Sequence, residues 1–224
     1  TRALQAQLGA SGFQNLRVVG RGVDTHIFHP GLRSQAFRNT WQADDSAIVL
    51  LSVGRLAAEK NLDLIVRTYK AMQDAGRSVK LVFAGDGPYR GVLQSQCPDA
   101  IFMGMCSHAQ LALLYANADL FLFPSLTETF GNVTLEALAC GTPVLAFDCA
   151  AASELVEDGL NGWLVRSESP ADYIHKALAI TANTGTLHQA RQFNGERCAQ
   201  WDWQEIANQV EKIFRVTLLE AYGG

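Results

Sequence analysis

A chain of 224 residues can hold one large domain or two small ones, and 48% hydrophobic with 18% charged residues describes an ordinary globule that forces no disorder. A net charge of −4, with Lys and Arg scattered, offers no basic field for nucleic acid, and no run approaches the about 18 apolar residues of a membrane span. The five cysteines (Cys97, Cys106, Cys140, Cys149, Cys198) are odd in number and form no Cys-x-x-Cys pair, so reduced core thiols are expected rather than disulfides or a metal site.

The text opens at Thr1 without an initiator Met or signal sequence, which suggests a piece of a longer protein. Residues 1–15 read as a short helix and turn, followed by a predicted strand at Leu16 to Val19. Gly20-Arg21-Gly22-Val23-Asp24 then puts a glycine pair after a strand, which suits either a tight turn or a close approach of backbone to a ligand. His26 to Trp41 reads as a connection broken by Pro30, with a short helix.

Ala47 to Val53 is a continuous apolar run, the pattern of a strand covered on both faces. Leu62, Ile65, Val66, Tyr69 and Met72 follow at helical spacing, and Gly76 closes that helix. Strands at Leu81 to Ala84, Ile101 to Met103, Leu120 to Phe123, Pro143 to Phe147 and Gly162 to Val165 alternate with helices to about Gln96, at His108 to Asn117, Asn132 to Cys140 and Ser153 to Glu157. Six alternations predict an α/β fold, a doubly wound, Rossmann-like parallel sheet with right-handed crossovers. After Pro170 only helices remain; Trp203, Ile206, Val210, Ile213 and Phe214 share one face, with Trp201 ahead of them, and read as packing. No repeat or low-complexity segment is evident.

The stretch Pro124 to Cys140 is the most suggestive of chemistry, running from a strand through a polar loop with Gly131 into a helix. Such a loop presents free N–H groups and the positive end of the helix dipole, which suits a phosphate or diphosphate. Glu128 stands before the helix and Glu136 just inside it, where carboxylates serve as hydroxyl acceptors, one for a ribose and one for a sugar. The competing reading is that Glu136 complements the dipole and Glu128 is solvated. In open α/β sheets ligands bind beyond the carboxyl ends of strands. There, Arg55 and Lys60 stand five residues apart at a helix entrance and suit a diphosphate, Arg by two-oxygen contact and Lys as a point charge. The alternative is an Arg55–Glu59 pair with Lys60 in solvent. Gly85-Asp86-Gly87-Pro88 supplies flexible backbone at the same edge, without a Gly-x-Gly-x-x-Gly or Gly-x4-Gly-Lys-Ser/Thr loop. His26, His29, His108, His175 and His188 read as surface or packing residues.

The ordered set Gly-Arg-Leu-x-x-Glu-Lys-Asn at 54–61, Gly-Asp-Gly-Pro at 85–88, Pro-Ser-x-x-Glu-Thr-Phe-Gly at 124–131, Leu-Glu-Ala-x-Ala-x-Gly-x-Pro-Val at 135–144 and Asp-Gly-x-Asn-Gly at 158–162 resembles the C-terminal half of retaining glycosyltransferases of family 4, which have the GT-B fold. The likeness covers nearly the whole chain. Gly20 to Asp24 with His29-Pro30 looks most like the branch of GDP-mannose-dependent mannosyltransferases and plant-type sulfoquinovosyltransferases.

The resemblance implies that Arg55 and Lys60 neutralise the departing donor diphosphate, that Glu136 binds ribose hydroxyls and that Glu128 lies against the transferred sugar. It likewise implies that Phe130, Gly131, Asn132 and Val133 meet sugar and phosphates through their backbone, that Gly22 lies near the phosphates and that Gly104-Met105 holds the base, with Asp86 a looser match. Preplaced cations and N–H dipoles would then stabilise the leaving group without a metal, in keeping with the lack of an Asp-x-Asp triplet. No cofactor is implied beyond a GDP- or UDP-linked sugar donor, with a hexose, such as mannose, passed to a lipid, glycan or small-molecule acceptor. The implied division is 1–15 as a remnant of the N-terminal half or interdomain helix, 16–200 as the nucleotide-sugar domain, and 201–224 as a helix packing toward the N-terminal half. The implied place is cytoplasmic, or peripheral on the inner face of a membrane, and this half alone would transfer no sugar. A nucleotide-binding module without catalysis, or a UDP-sugar-using hexosyltransferase, remain as alternatives; an epimerase or phosphorylase fits the motifs poorly.

Overall fold

Six short apolar runs form one sheet because each sends alternate side chains to two faces, and helices cover both. The computed structural model describes residues 2–126, 132–149, 152–166 and 169–222. The strands are β1 (Ile48–Val53), β2 (Val79–Ala84), β3 (Ile101–Gly104), β4 (Leu120–Phe123), β5 (Val144–Phe147) and β6 (Gly162–Val165). All pair in parallel, in the order β3-β2-β1-β4-β5-β6. The chain winds outward from β1 through β2 to β3, crosses back to β4 beside β1, and winds outward again. The order therefore reverses between β1 and β4, where a crevice opens at the carboxyl ends.

Leu50, Leu81, Leu122 and Leu145 point to one face, while Val49, Val82, Phe121 and Ala146 point to the other, all of them essentially inaccessible to solvent. Each of the Leu, Val and Phe side chains contributes about 1.5–3 kcal/mol by leaving water. The first face is covered by α3 (Leu62–Asp74), α8 (Pro170–Thr181) and α9 (Thr184–Arg197), through residues such as Ile65, Tyr173 and Leu187. The second is covered by α5 (His108–Asn117) and α6 (Asn132–Ala139), through Tyr115 and Leu138. The remaining helices are α1 (Arg2–Ala10), α2 (Gln35–Asn39), α4 (Arg90–Gln96), α7 (Ala152–Leu155) and the long α10 (Trp203–Tyr222).

Local chemistry sets the ends of these elements. Ser107 Oγ accepts from the Gln110 N–H (3.3 Å) while Gln110 Oε1 accepts from the Ser107 N–H (2.8 Å), a reciprocal cap that starts α5. Gly76, at φ +74°, stands just past α3 in the left-handed conformation that suits glycine after a helix.

Leu16 to Val19, predicted as a strand, is not one. Val18 and Val19 are more than a third exposed and make no ladder with either edge strand, β3 or β6. The neighbouring chain is tied instead to the start of α10: the Val23 N–H donates to Trp201 O (2.8 Å), and Thr25 Oγ1 donates to Asp202 (2.5 Å).

Candidate functional site

A hollow of about 330 Å³ opens where the strand order reverses, between the carboxyl ends of β1 and β4. Its walls include Gly54, Arg55, Lys60, Phe123, Ser125 and Val133. Two motifs 70 residues apart thus meet for a topological reason: β1 and β4 are neighbours, and each hands its motif to the loop that follows.

The loop after β1 buries Leu56 and Ala57 and forms a 3-10 turn at Ala58–Lys60, which sets Lys60 immediately ahead of α3. Arg55 is two-thirds exposed and pairs with Glu59 four residues on, as one sequence reading anticipated. An exposed pair of this kind is worth about 0–1 kcal/mol, so a doubly charged anion can take the guanidinium from it. Asn61 adopts φ +55° and its side-chain amide donates to Pro124 O (3.3 Å), tying the loop after β1 to the loop after β4 across the hollow.

Gly85-Asp86-Gly87-Pro88 is less a flexible loop than an interlock. The Gly54 N–H donates to Ala84 O (2.9 Å), the Leu56 N–H to Asp86 O (2.9 Å) and the Tyr89 N–H to Leu56 O (3.0 Å). The strands' loops approach so closely that a Cβ on Gly85 would lie 1.9 Å from Gly54 O. The glycines therefore hold Arg55 and its loop in place.

From the loop after β4, the described residues supply Asn132, exposed at the first position of α6, and Val133 in the hollow wall. Glu128, Phe130 and Gly131 lie outside the described residues. Glu136 is one turn along α6 from Val133, partly buried, with Oε2 accepting from Tyr115 Oη (3.1 Å). Burial raises the Glu136 carboxyl above its usual range, against the opposing pull of the Tyr115 bond and the nearby His108. Burial and then the Glu136 charge keep the Tyr115 hydroxyl protonated well above the usual phenol range, so it remains a donor.

Tyr115→Phe removes the stronger of the two lowering influences and is expected to move the Glu136 titration to higher pH, read by ¹³C NMR of its side-chain carboxyl. An unchanged midpoint would show that the bond favours neither protonation state. Because the folded pKa is raised, the stability this group contributes is fully present below the unfolded glutamate value and is lost as pH rises through the folded one.

The other predicted positions stand apart from the hollow. Gly22 packs on α10, where an added Cβ would lie 2.7 Å from the Trp203 ring. Asp86 turns to the start of the following helix, accepting from the Gly87 N–H (2.8 Å) and pairing with Arg90 (3.3 Å) at the first position of α4. Gly104, at φ +69°, ends β3, and Met105 beside it is 79% exposed, two strands away from β1 on the same edge.

Sequence reasoning gave no role to Asn61, Ser125 or Tyr115. Ser125 lines the hollow, is buried, and its hydroxyl has no hydrogen-bond partner among the described residues. An orphaned hydroxyl costs about 1–3 kcal/mol, a cost that a bound polar group can relieve. Asn61 carries a local signal, an Asn directly before an apolar helical run. Tyr115 carries none, since its partner lies on another helix. Among the described residues, no three His, Cys, Asp or Glu side chains gather as a metal site.

A crevice at the switch point of a doubly wound sheet, with two cations at a helix entrance, is the place where open α/β domains bind their ligands. The sequence model described as Glycosyl transferases group 1 matches residues 47–183, and the chain belongs to that family. It is 38% identical over 217 residues to a GDP-mannose-dependent alpha-mannosyltransferase of Corynebacterium glutamicum, covering 96% of this chain and 49% of the relative. It is 28% identical to a sulfoquinovosyl transferase of Arabidopsis thaliana over 90% of this chain and 40% of the relative. The chain thus spans about half the length of the curated relatives it matches. Its fold is that of HepE from Anabaena, solved in complex with UDP, at a TM-score of 0.75 and 22% identity over 89% of this chain and 57% of that one. The expected fold and family are both met.

Proposed function

We propose that this chain is the donor-binding half of a retaining glycosyltransferase whose donor is a nucleotide sugar, GDP-linked in the first instance. The observation that carries the reading is the single hollow shared by Arg55, Lys60 and Val133 at the switch point of the sheet. Departure of a nucleoside diphosphate develops negative charge on the leaving oxygen. Arg55, Lys60 and the N–H groups at the start of α6 meet that charge with positions held before reaction, which lowers the barrier more than it stabilises the ground state. In this reading the cations do what a metal ion does in other transferases, and no cofactor is required. Glu136, anchored by Tyr115, accepts ribose hydroxyls, and Glu128 faces the sugar. Gly22, Asp86, Gly104 and Met105 retain the donor-side roles that the family resemblance suggests.

GDP is favoured over UDP by the 38% identity to a GDP-mannose-dependent enzyme, while the likeness to the UDP complex concerns fold alone. A thermal-shift screen tests both. GDP or GDP-mannose near 100 times Kd is expected to raise Tm by roughly 5–10 °C, with UDP weaker. A flat response to every nucleoside diphosphate would sink the reading. Stabilisation without sugar transfer by the full-length enzyme would favour the non-catalytic module.

The division at residues 15 and 200 is proposed on the same footing. α10 exposes Trp203 (51%), Phe214 (65%) and Leu218 (56%) along one groove of about 580 Å³. Such a stripe fits a helix that packs toward the acceptor half of the enzyme, which would carry the lipid, glycan or small-molecule acceptor. No helix among the described residues is long and apolar enough to cross a membrane.

A further inference from the structure

The opposite edge of the sheet, where β1 and β4 begin, holds a second hollow of about 490 Å³. Arg33, Arg38 and Arg191 converge there from three separate segments of the chain, with His188 beside them. Among the described residues Asp119 is the one acid they contact: it accepts from Arg33 Nη2 (2.6 Å), Arg38 Nη1 (2.8 Å) and the Val49 N–H (2.8 Å). The other guanidinium bonds go to uncharged acceptors. Arg33 donates to Ala116 O (3.2 Å) and Ala118 O (3.1 Å), and Arg191 to Ala116 O (3.1 Å), Ala118 O and Thr142 Oγ1 (3.5 Å).

Capping the end of α5 and fixing Asp119 accounts fully for Arg38, which is 4% exposed and also holds Asn117 O, Asp44 O and Ala47 O. It does not account for the other two. By proton count, each of Arg33 and Arg191 keeps its Nε–H and one Nη proton without an acceptor among the described residues. Among the described residues three guanidinium charges face one contacting carboxylate, while Asp44 acts on Arg38 through space with its oxygen turned to Ser46 and Ala47, and the more distant Asp45 on the rim is exposed. The α5 dipole end supplies about half a negative charge and leaves an excess. The crowding has a physical sign: burial first, then the Arg33 charge, lowers Arg191 to about 9.

We propose that this hollow is a second anion site, built for a phosphate-type dianion and independent of the donor site across the sheet. The remaining protons, Nε–H and one on Nη2 of Arg33 and Nε–H and one on Nη1 of Arg191, are charged donors of the kind that bind the oxygens of phosphate. Entry of the anion supplies the negative charge that Asp119 alone leaves short. It also binds Arg33 and Arg191 together, joining α9 to the end of α5.

The test is carried out on the Arg55→Ala/Lys60→Ala protein, so that phosphate at the donor hollow cannot give the signal. Inorganic phosphate, titrated against sodium chloride at matched ionic strength, is expected to raise Tm saturably by about 2–4 °C. Adding Arg33→Gln, at a side chain 31% exposed, should cut the apparent affinity at least roughly tenfold while leaving the fold intact by circular dichroism. ³¹P line broadening that Arg33→Gln removes gives a second reading that does not depend on stability. Glycerol 3-phosphate in the same titration separates a site open to phosphomonoesters from one closed around the free ion, and either result supports a phosphate-type site. Equal shifts from phosphate and chloride, or broadening that survives Arg33→Gln, would overturn the proposal and leave a purely structural arginine cluster.

Discussion

Lys60→Ala and Glu136→Gln are each expected to weaken GDP binding roughly 10- to 100-fold in calorimetry, because each removes a charge-assisted hydrogen bond worth about 1.5–3 kcal/mol. The two act on different parts of the ligand, Lys60 on the diphosphate and Glu136 on the ribose. Their effects should therefore add in the double variant, within about 0.5 kcal/mol. The pattern discriminates further. Lys60→Ala should weaken GDP and pyrophosphate alike, whereas Glu136→Gln should spare pyrophosphate, which has no hydroxyls to offer. Loss of the Lys60 charge should also flatten the salt dependence of binding. Native affinity in Lys60→Ala would mean that the hollow between β1 and β4 is not where the diphosphate sits.

Gly85→Ala is expected to be the most damaging Gly→Ala change among the described glycines. At φ +127° a side chain is strained, at about 1–3 kcal/mol, and its Cβ would overlap Gly54 O at 1.9 Å, where only backbone can yield. Overpacking of this kind adds about 1–3 kcal/mol, so urea denaturation should show a total loss of roughly 2–6 kcal/mol. Gly54→Ala is the matched control. It stands at φ +143°, but its Cβ would meet nothing within 4 Å, so it should pay the strain alone. Equal losses in the two variants would show that the close approach of the loops is not what makes Gly85 necessary. If Gly85→Ala retains a folded population, its nucleotide affinity should fall too, since the displaced partner is the loop that carries Arg55.

The architecture was legible in the sequence because it rests on local patterns. Short apolar runs of strand length alternating with amphipathic segments leave a doubly wound parallel sheet as the natural way to bury them, and the strands from Ile48 to Val165 lie where their runs predict. The one false strand, Leu16 to Val19, has the same local pattern; the chain just after it is held by Trp201 and Asp202 rather than by a strand of the sheet, and no local pattern reports that. Arg55, Lys60 and Val133 were legible as residues following strands, and the sheet does bring them to one hollow. The glycines were legible as special but not in their purpose. Gly22 serves contact with Trp203, and Gly85 serves contact with Gly54, partners 181 and 31 residues away in the chain.

What the sequence determined by itself is the set of elements, the family and the residues that precede each helix, since periodicity, caps and strand ends are properties of neighbours in the chain. Only the tertiary structure decided which of those ends converge. The order of strands put β1 beside β4, and with it Arg55 and Lys60 beside α6, set Tyr115 on Glu136, and gathered Arg33, Arg38 and Arg191 on the far edge. Convergence of this kind is governed by packing between segments distant in sequence, and no window along the chain contains both partners.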